Sequence, residues 1–213
     1  MRPQWRSWLA RGTIFLIGFS TIAGAWWALE TGAYLELVPA SLAESARPYL
    51  LLSGLPFAIG TAIYTAFLFG QAEGRDLWQS PLLPAHLFVQ AAMMGGASLL
   101  VMDALAPVPE AIATVARWTF ALAAVADLFV VLLGEVGMSH ASEVAARAAK
   151  LITKGRYKHH FWTGAIVLGH LVPLALLLAG APWALALAGV LSIAGLYLYE
   201  HAFVMAPQEI PNS

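Results

Sequence analysis

Among the ionisable side chains in long apolar stretches of this sequence, three best suit proton transfer; Asp103, Glu200 and His201 lie nearer the ends of their stretches and are weaker candidates. Asp127 is near the centre of one stretch, Glu135 follows it by about two helical turns, and His170 lies at similar depth in the next stretch. An unpaired carboxylate in membrane hydrocarbon costs at least about 2.5 kcal/mol, so such groups need partners or a function. A buried carboxyl group beside an imidazole can hold a proton and pass it on. We therefore predict proton transfer by Asp127, His170 and Glu135; the alternative is that Asp127 and His170 only fix helix packing.

A second set of side chains suits a quinone headgroup. Tyr64 lies about two-thirds of the way along an apolar stretch, and His86 lies about one turn into the next. A phenol and an imidazole can hydrogen-bond to the two carbonyl oxygens of a quinone, which reaches such a site by lateral diffusion in lipid. Tyrosine and histidine are common at membrane interfaces, so these residues alone are a weak signal.

The stretches that carry these residues are long enough to cross a membrane. The chain has 213 residues, of which 60% are hydrophobic and 11% charged, more apolar surface than one soluble core buries. Reading apolar windows of roughly 18 residues or more as spans, we predict an all-α bundle of six transmembrane helices. Their predicted bounds are Thr13–Leu29, Tyr49–Phe69, Leu83–Leu105, Trp118–Val136, Phe161–Leu178 and Trp183–Phe203.

Positive charges are distributed unequally between the two membrane faces. The face opposite the termini has only two cations, Arg47 and Arg117. By the positive-inside rule, the face that carries both termini is therefore predicted to be cytoplasmic. The cations on the face of the termini are Arg2, Arg6, Arg11, Arg75, Arg147, Lys150, Lys154, Arg156 and Lys158.

The strongest concentration of positive charge is the loop of residues 138–160. Within it, Glu143–Ile152 has helix-forming residues at helical spacing. Two interpretations remain open: an amphipathic helix lying on anionic headgroups, or a docking surface for a soluble subunit. We see no second domain, and predict one integral membrane domain over residues 1–213.

The composition also excludes several classes of function. With no cysteine, the chain itself forms no disulfide, no thiolate-bound iron–sulfur cluster and no cysteine-ligated metal site. A net charge of −1, without a basic helix that carries interleaved aromatic residues, argues against nucleic acid binding. The lipid bilayer is the expected surrounding.

Several motifs resemble the NrfD/polysulphide reductase (PsrC-like) family of quinone-interacting membrane subunits. The core of the resemblance is three segments in the family's order and spacing, Ala62–Leu68, Leu77–Pro84 and Gly95–Ala97. Further similar segments are Ser7–Gly12, Gly155–Pro173 with Gly-His-Leu-Val-Pro at its end, and Ala206–Gln208. The resemblance covers nearly the whole chain.

The resemblance implies a membrane subunit of a respiratory oxidoreductase complex in a bacterial or archaeal cytoplasmic membrane. Such a subunit exchanges electrons between menaquinone or ubiquinone and a four-cluster iron–sulfur subunit, which in turn serves a molybdopterin catalytic subunit; proton translocation sometimes accompanies this exchange. It also implies that Tyr64 contacts the quinone, that Asp127 belongs to a proton path, and that this chain itself holds neither haem nor metal.

Two departures from the family pattern bear on this interpretation. Ala66 stands where the family has glycine, a small change for helix packing. The chain also looks as if it lacks the family's first two helices. Three explanations remain open: another small membrane subunit supplies them, the sequence is a truncated form, or the subunit has lost quinone chemistry and serves as an anchor.

Other classes of function remain open, as does the face on which partners dock. One is a membrane anchor without quinone chemistry, and another is a proton-coupled transporter that uses Asp127 and His170. A di-haem anchor would need paired histidines, for which His86 and His201 are the candidates.

Overall fold

The computed structural model describes Gln4 and residues 6–211; Arg2, one of the cations counted above, lies outside this part of the chain. Within the described residues all regular structure is helical. Six helices are long and apolar enough to cross a membrane, which confirms the predicted all-α fold. The chain forms two compact units, Met1–Phe69 and Gly70–Ser213, and the single domain over residues 1–213 stays a prediction.

The first unit is a helical hairpin of α1, Trp8–Tyr34, and α2, Ala40–Phe69. Aromatic rings of one helix pack onto glycines of the other, and the ring of Tyr64 lies where a methyl group on Gly12 would be. Glycine is needed at this crossing, because any Cβ there would overlap with the ring. This packing sets how far apart the two helices lie.

The second unit contains four spanning helices and one short helix. They are α3 (Leu83–Leu105), α4 (Glu110–Leu132), α5 (Glu143–Thr153), α6 (His160–Ala179) and α7 (Pro182–Met205). Two stretches have the wider π-helical hydrogen bonding, namely Leu133–Gly137 at the end of α4 and His160–Leu171 in α6. Such wider turns re-aim side chains and are frequent at functional sites.

The four spanning helices form a bundle with a tightly packed interior. α3 packs along α4 and α7, α7 packs along α6, and lighter contacts between α6 and α4 close the bundle. The backbones of α6 and α7 approach so closely that a Cβ on Gly195 would lie 2.3 Å from the Cα of Gly169. Fully buried Met93, Leu100 and Phe120 fill the bundle between α3 and α4.

The short helix α5 confirms the helix predicted in the basic loop. Ser142 caps its first turn by accepting from the Ala145 N–H at 3.1 Å, and donates to Asp76 at 2.5 Å. Its apolar face is buried against the ends of the spanning helices and the turns beside them, with Ala148 and Ile152 almost inaccessible. Protein therefore already covers the face that would otherwise insert into lipid.

The predicted spans agree with the helices, although most helices are longer. α3 has the predicted bounds, whereas α2 begins at Ala40 instead of Tyr49. The predicted bound came from the apolar window, which leaves out the more polar residues 40–48. The observed helix contains both Pro48 and Pro56.

Candidate functional site

Asp127 is enclosed between two imidazole rings in the second unit. Its side chain, on the inner face of α4, is 0% exposed. The Oδ2 atom lies 3.0 Å from Nε2 of His170 on α6, and Oδ1 lies 3.0 Å from Nε2 of His86 near the start of α3. A buried carboxyl group needs such partners, because an unpaired charge in a low-dielectric interior is strongly unfavourable. Three helices therefore meet at one carboxyl group.

The hydrogen bonds of His170 determine how the ring carries its protons. Its Nδ1 lies 2.8 Å from the Ala165 carbonyl oxygen, which can only accept, so this geometry assigns a hydrogen to Nδ1. The Nε2 atom and the Asp127 Oδ2 atom, 3.0 Å apart, then share one further proton. Either a cationic ring donates to a carboxylate, or a protonated carboxyl group donates to a neutral ring. Loss of that proton would leave two lone pairs facing each other.

The hydrogen bonding of His86 is less well defined than that of His170. Its Nε2 lies 3.0 Å from the amide nitrogen of Gln90 and also 3.0 Å from Asp127 Oδ1. Within the described part of the chain, however, Oδ1 makes no hydrogen bond of ordinary geometry. When Nε2 accepts from Gln90 it has no hydrogen to present to Asp127. The ring therefore has two competing partners, and its proton is not fixed by the geometry.

A cavity of about 440 Å³ lies beside His86, at the end of the second unit that carries the basic loop. Its walls include the loop before α3, the loop after α4, and the π-helical turn at the end of α4. Pro84 lies in the first turn of α3 and favours a helix start at this position. The segment before it is a loop with one short helical turn, Asp76–Gln79, which also lines the cavity.

Glu135 and Tyr199 place a carboxyl group and a phenol on the wall of this cavity. Glu135 is only 7% exposed, and its Oε1 accepts from the Tyr199 hydroxyl at 3.1 Å. Its Oε2 has no hydrogen-bond partner among the residues that the structure describes. The centroids of the Tyr199 and His86 rings are 5.5 Å apart. The cavity thus borders a continuous group of polar side chains that ends at Asp127 and His170.

Comparison with known proteins identifies the family of this chain. Residues 1–211 match the protein family described as polysulphide reductase, NrfD. The chain belongs to the NrfD family. It is a multi-pass membrane protein and a membrane subunit of polysulphide reductase-type complexes, which confirms the resemblance seen in the motifs. No curated protein and no solved structure matched the chain.

The two residues predicted for quinone lie in different units of this NrfD-family chain. Tyr64 belongs to the first unit, where its half-buried ring packs on Gly12. His86 belongs to the second unit, where its ring contacts Asp127 and lines the cavity. A headgroup site that includes both residues stays a prediction.

The residues predicted for proton transfer lie together, and they are joined by residues that the sequence interpretation missed. Gln90 follows His86 by four positions, which places both on one helix face, and this spacing was the available signal. Tyr199 and the contact between His86 and Asp127 had no signal in the sequence, because they depend on which helices are neighbours.

The histidines considered as haem ligands have separate surroundings. The His201 ring stacks on His160 with centroids 5.4 Å apart, and Tyr157 lies beside both rings. His86 instead lies against Asp127. In the described ranges, no group of three or more histidine, aspartate or glutamate side chains is arranged to hold a metal ion.

Proposed function

We propose that this NrfD-family subunit exchanges electrons between the quinone pool and an iron–sulfur partner, and that its second unit handles the protons of that exchange. The observation that carries the proposal is the fully buried Asp127 carboxyl group, 3.0 Å from both His170 and His86. Reduction of a quinone by two electrons takes up two protons, and oxidation of the quinol releases them. An ionisable group within a membrane is more often functional than structural.

Asp127 and His170 act as the proton store in this proposal. Because the His170 Nδ1 hydrogen is engaged with the Ala165 carbonyl, the proton gained or lost lies between Nε2 and Oδ2. Moving this proton from one atom to the other changes neither the net charge nor the positions of the heavy atoms. Low local dielectric strengthens such a hydrogen bond, so the pair holds its proton until a neighbour accepts it.

His86 connects the store to the cavity. Its Nε2 has Gln90 and Asp127 as competing partners, so a small rotation of the ring exchanges one contact for the other. On the cavity side, Glu135 offers a carboxylate oxygen without a partner among the described residues, and Tyr199 offers a hydroxyl. We propose that protons pass between Glu135 and Asp127 by way of Tyr199 and His86. By the positive-inside rule, the cavity would draw on the cytoplasm.

The quinone site itself is assigned by family resemblance. We propose that Tyr64 hydrogen-bonds the headgroup of menaquinone or ubiquinone, and that His86 contributes where a headgroup reaches it. The electron partner would be a four-cluster iron–sulfur subunit that serves a molybdopterin catalytic subunit, and another small membrane subunit would complete the quinone-side bundle. The absence of cysteine from this chain supports placing the clusters in a partner.

The test compares Asp127→Asn with Tyr64→Phe in the complex purified from its native membrane and reconstituted into vesicles. Asp127→Asn is expected to lower the number of protons moved per electron while partner subunits still co-purify. Tyr64→Phe is expected to lower quinone-linked turnover, because it removes only the hydroxyl. Matched controls are Asp103→Asn, which changes an aspartate that accepts from the Val108 N–H, and Tyr197→Phe, which changes an exposed tyrosine.

The two arms fail independently. An unchanged proton-to-electron ratio in Asp127→Asn would refute the proton store, whatever happens at Tyr64. Unchanged quinone turnover in Tyr64→Phe would refute the headgroup assignment alone. Purification of the chain without quinone and without an iron–sulfur partner would refute the proposed function as a whole.

A further inference from the structure

The outward side of α5 borders a groove of about 330 Å³ that none of the functions above uses. Its rim is formed by three cations spaced along one side of the helix, and its floor is apolar. The lining residues are Arg147, Lys150, Leu151, Lys154, Gly155 and Ile210. A groove of this composition suits a ligand that is anionic at one end and apolar at the other.

The positive charge on the rim is largely uncompensated. Lys150 and Lys154 are exposed and form no ion pair with any residue that the structure describes. Arg147 has one partner, Glu143, at 3.6 Å, but both side chains are mostly exposed. Water screens such an exposed pair, so Arg147 also remains available to an anion.

The floor of the groove is fixed because α5 is fixed. The helix buries Ala145, Ala148 and Ile152 against the rest of the second unit, and this packing holds α5 beside the groove. Leu151 and Ile210 are partly exposed at its floor. Partly exposed apolar side chains framed by cations favour an occupant that brings its own apolar surface.

A tryptophan indicates the depth of the groove relative to the membrane. Trp162, at the start of α6, is 43% exposed, and its indole N–H donates to the Thr153 carbonyl oxygen at 2.9 Å. Partly exposed indoles favour the headgroup region of a bilayer. Since Thr153 directly precedes Lys154, the groove lies at or near the level of lipid phosphates.

We propose that this groove binds an anionic phospholipid, whose phosphate lies between Lys150, Lys154 and Arg147 and whose acyl chain lies along Leu151 and Ile210. The charge complementarity accounts for the rim, and the acyl chain accounts for the apolar floor. An acidic protein surface would match only the rim. This proposal is independent of the quinone and proton chemistry.

The test is native mass spectrometry of the purified complex in a neutral detergent, titrated with dihexanoyl phosphatidylglycerol or with the phosphatidylcholine of the same chain length. Phosphatidylglycerol is expected to bind more tightly than phosphatidylcholine. The double variant Lys150→Gln, Lys154→Gln is expected to weaken that binding about 30-fold, from the usual contribution of two cations near anionic lipid. Lys158→Gln, an exposed lysine outside the groove, is the control and is expected to leave binding unchanged.

Four results would overturn the proposal. Equal binding of the two lipids would remove the role of headgroup charge, and unchanged phosphatidylglycerol binding in the double variant would move the lipid elsewhere. Displacement of the lipid by inorganic phosphate at equal concentration would indicate a simple anion site. Loss of a soluble subunit from the double variant, with lipid binding intact, would make the surface a protein interface.

Discussion

The adjacent glycines Gly95 and Gly96 in α3 offer a matched test of how close helix packing positions the buried carboxyl site. A Cβ on Gly95 would meet nothing within 4 Å, whereas a Cβ on Gly96 would lie 2.8 Å from the backbone nitrogen of Phe120 on α4. Because ordinary contact begins near 3.4 Å, Gly96→Ala must push α4 away by about 0.6 Å in a close-packed interior. The helix that moves is the one that carries Asp127.

The expected difference in stability between Gly95→Ala and Gly96→Ala follows from two opposing effects. Both substitutions favour the helix by up to about 1 kcal/mol, since alanine is a better helix former than glycine. Only Gly96→Ala also overpacks the interface, which costs about 1–3 kcal/mol. The two variants should therefore differ in stability by about 1–3 kcal/mol, and at about 2–4 °C per kcal/mol for a chain of this size the difference is measurable by thermal unfolding in detergent.

Proton transfer provides a second readout for the two glycine variants. Movement of α4 is expected to lengthen the 3.0 Å contacts of Asp127 with His86 and His170, and so to lower the proton-to-electron ratio in Gly96→Ala but not in Gly95→Ala. Equal unfolding midpoints for the two variants would refute the packing argument. A destabilised Gly96→Ala variant with an unchanged ratio would refute the link between this crossing and the site.

Two further predictions concern stability. Asp127→Ala should destabilise the protein by about 3–5 kcal/mol, because it leaves the buried partners of the carboxyl group without a hydrogen bond. Asp127→Asn should cost only about 1 kcal/mol, because its amide can donate to neutral His170. Equal thermal unfolding midpoints for the two variants would contradict this prediction. In the loop before α6, burial and the Glu209 carboxylate, which accepts from the Tyr157 hydroxyl at 2.6 Å, raise the pKa of Tyr157. The unfolded chain then ionises first, so this contribution is present below about pH 10 and is lost as the pH rises further; the unfolding midpoint should fall more steeply in alkali for the wild type than for Tyr157→Phe.

The sequence by itself determined the membrane fold. Hydrophobic stretches of bilayer length must be helices, since lipid offers no partners for backbone groups, and this alone gave six spans and the bounds of α3. The positions of Asp127 and His170 within their hydrophobic stretches also predicted that the two side chains lie at similar depth in the membrane. The apolar window missed the start of α2, because the helix begins at Ala40 and its first turns include the polar residues Glu44 and Arg47.

Only the tertiary structure decided which side chains meet at that level. Hydropathy gives a residue's position along the membrane normal but not the direction in which it points around its helix. That direction depends on where neighbouring backbones can approach, as at Gly169 and Gly195. His86 was therefore assigned to an interface from its place in the sequence, although packing of α3 on α4 brings it to Asp127. Helix neighbours are fixed by the fit of small and large side chains between chain segments far apart in sequence, and this fit cannot be read from one helix at a time.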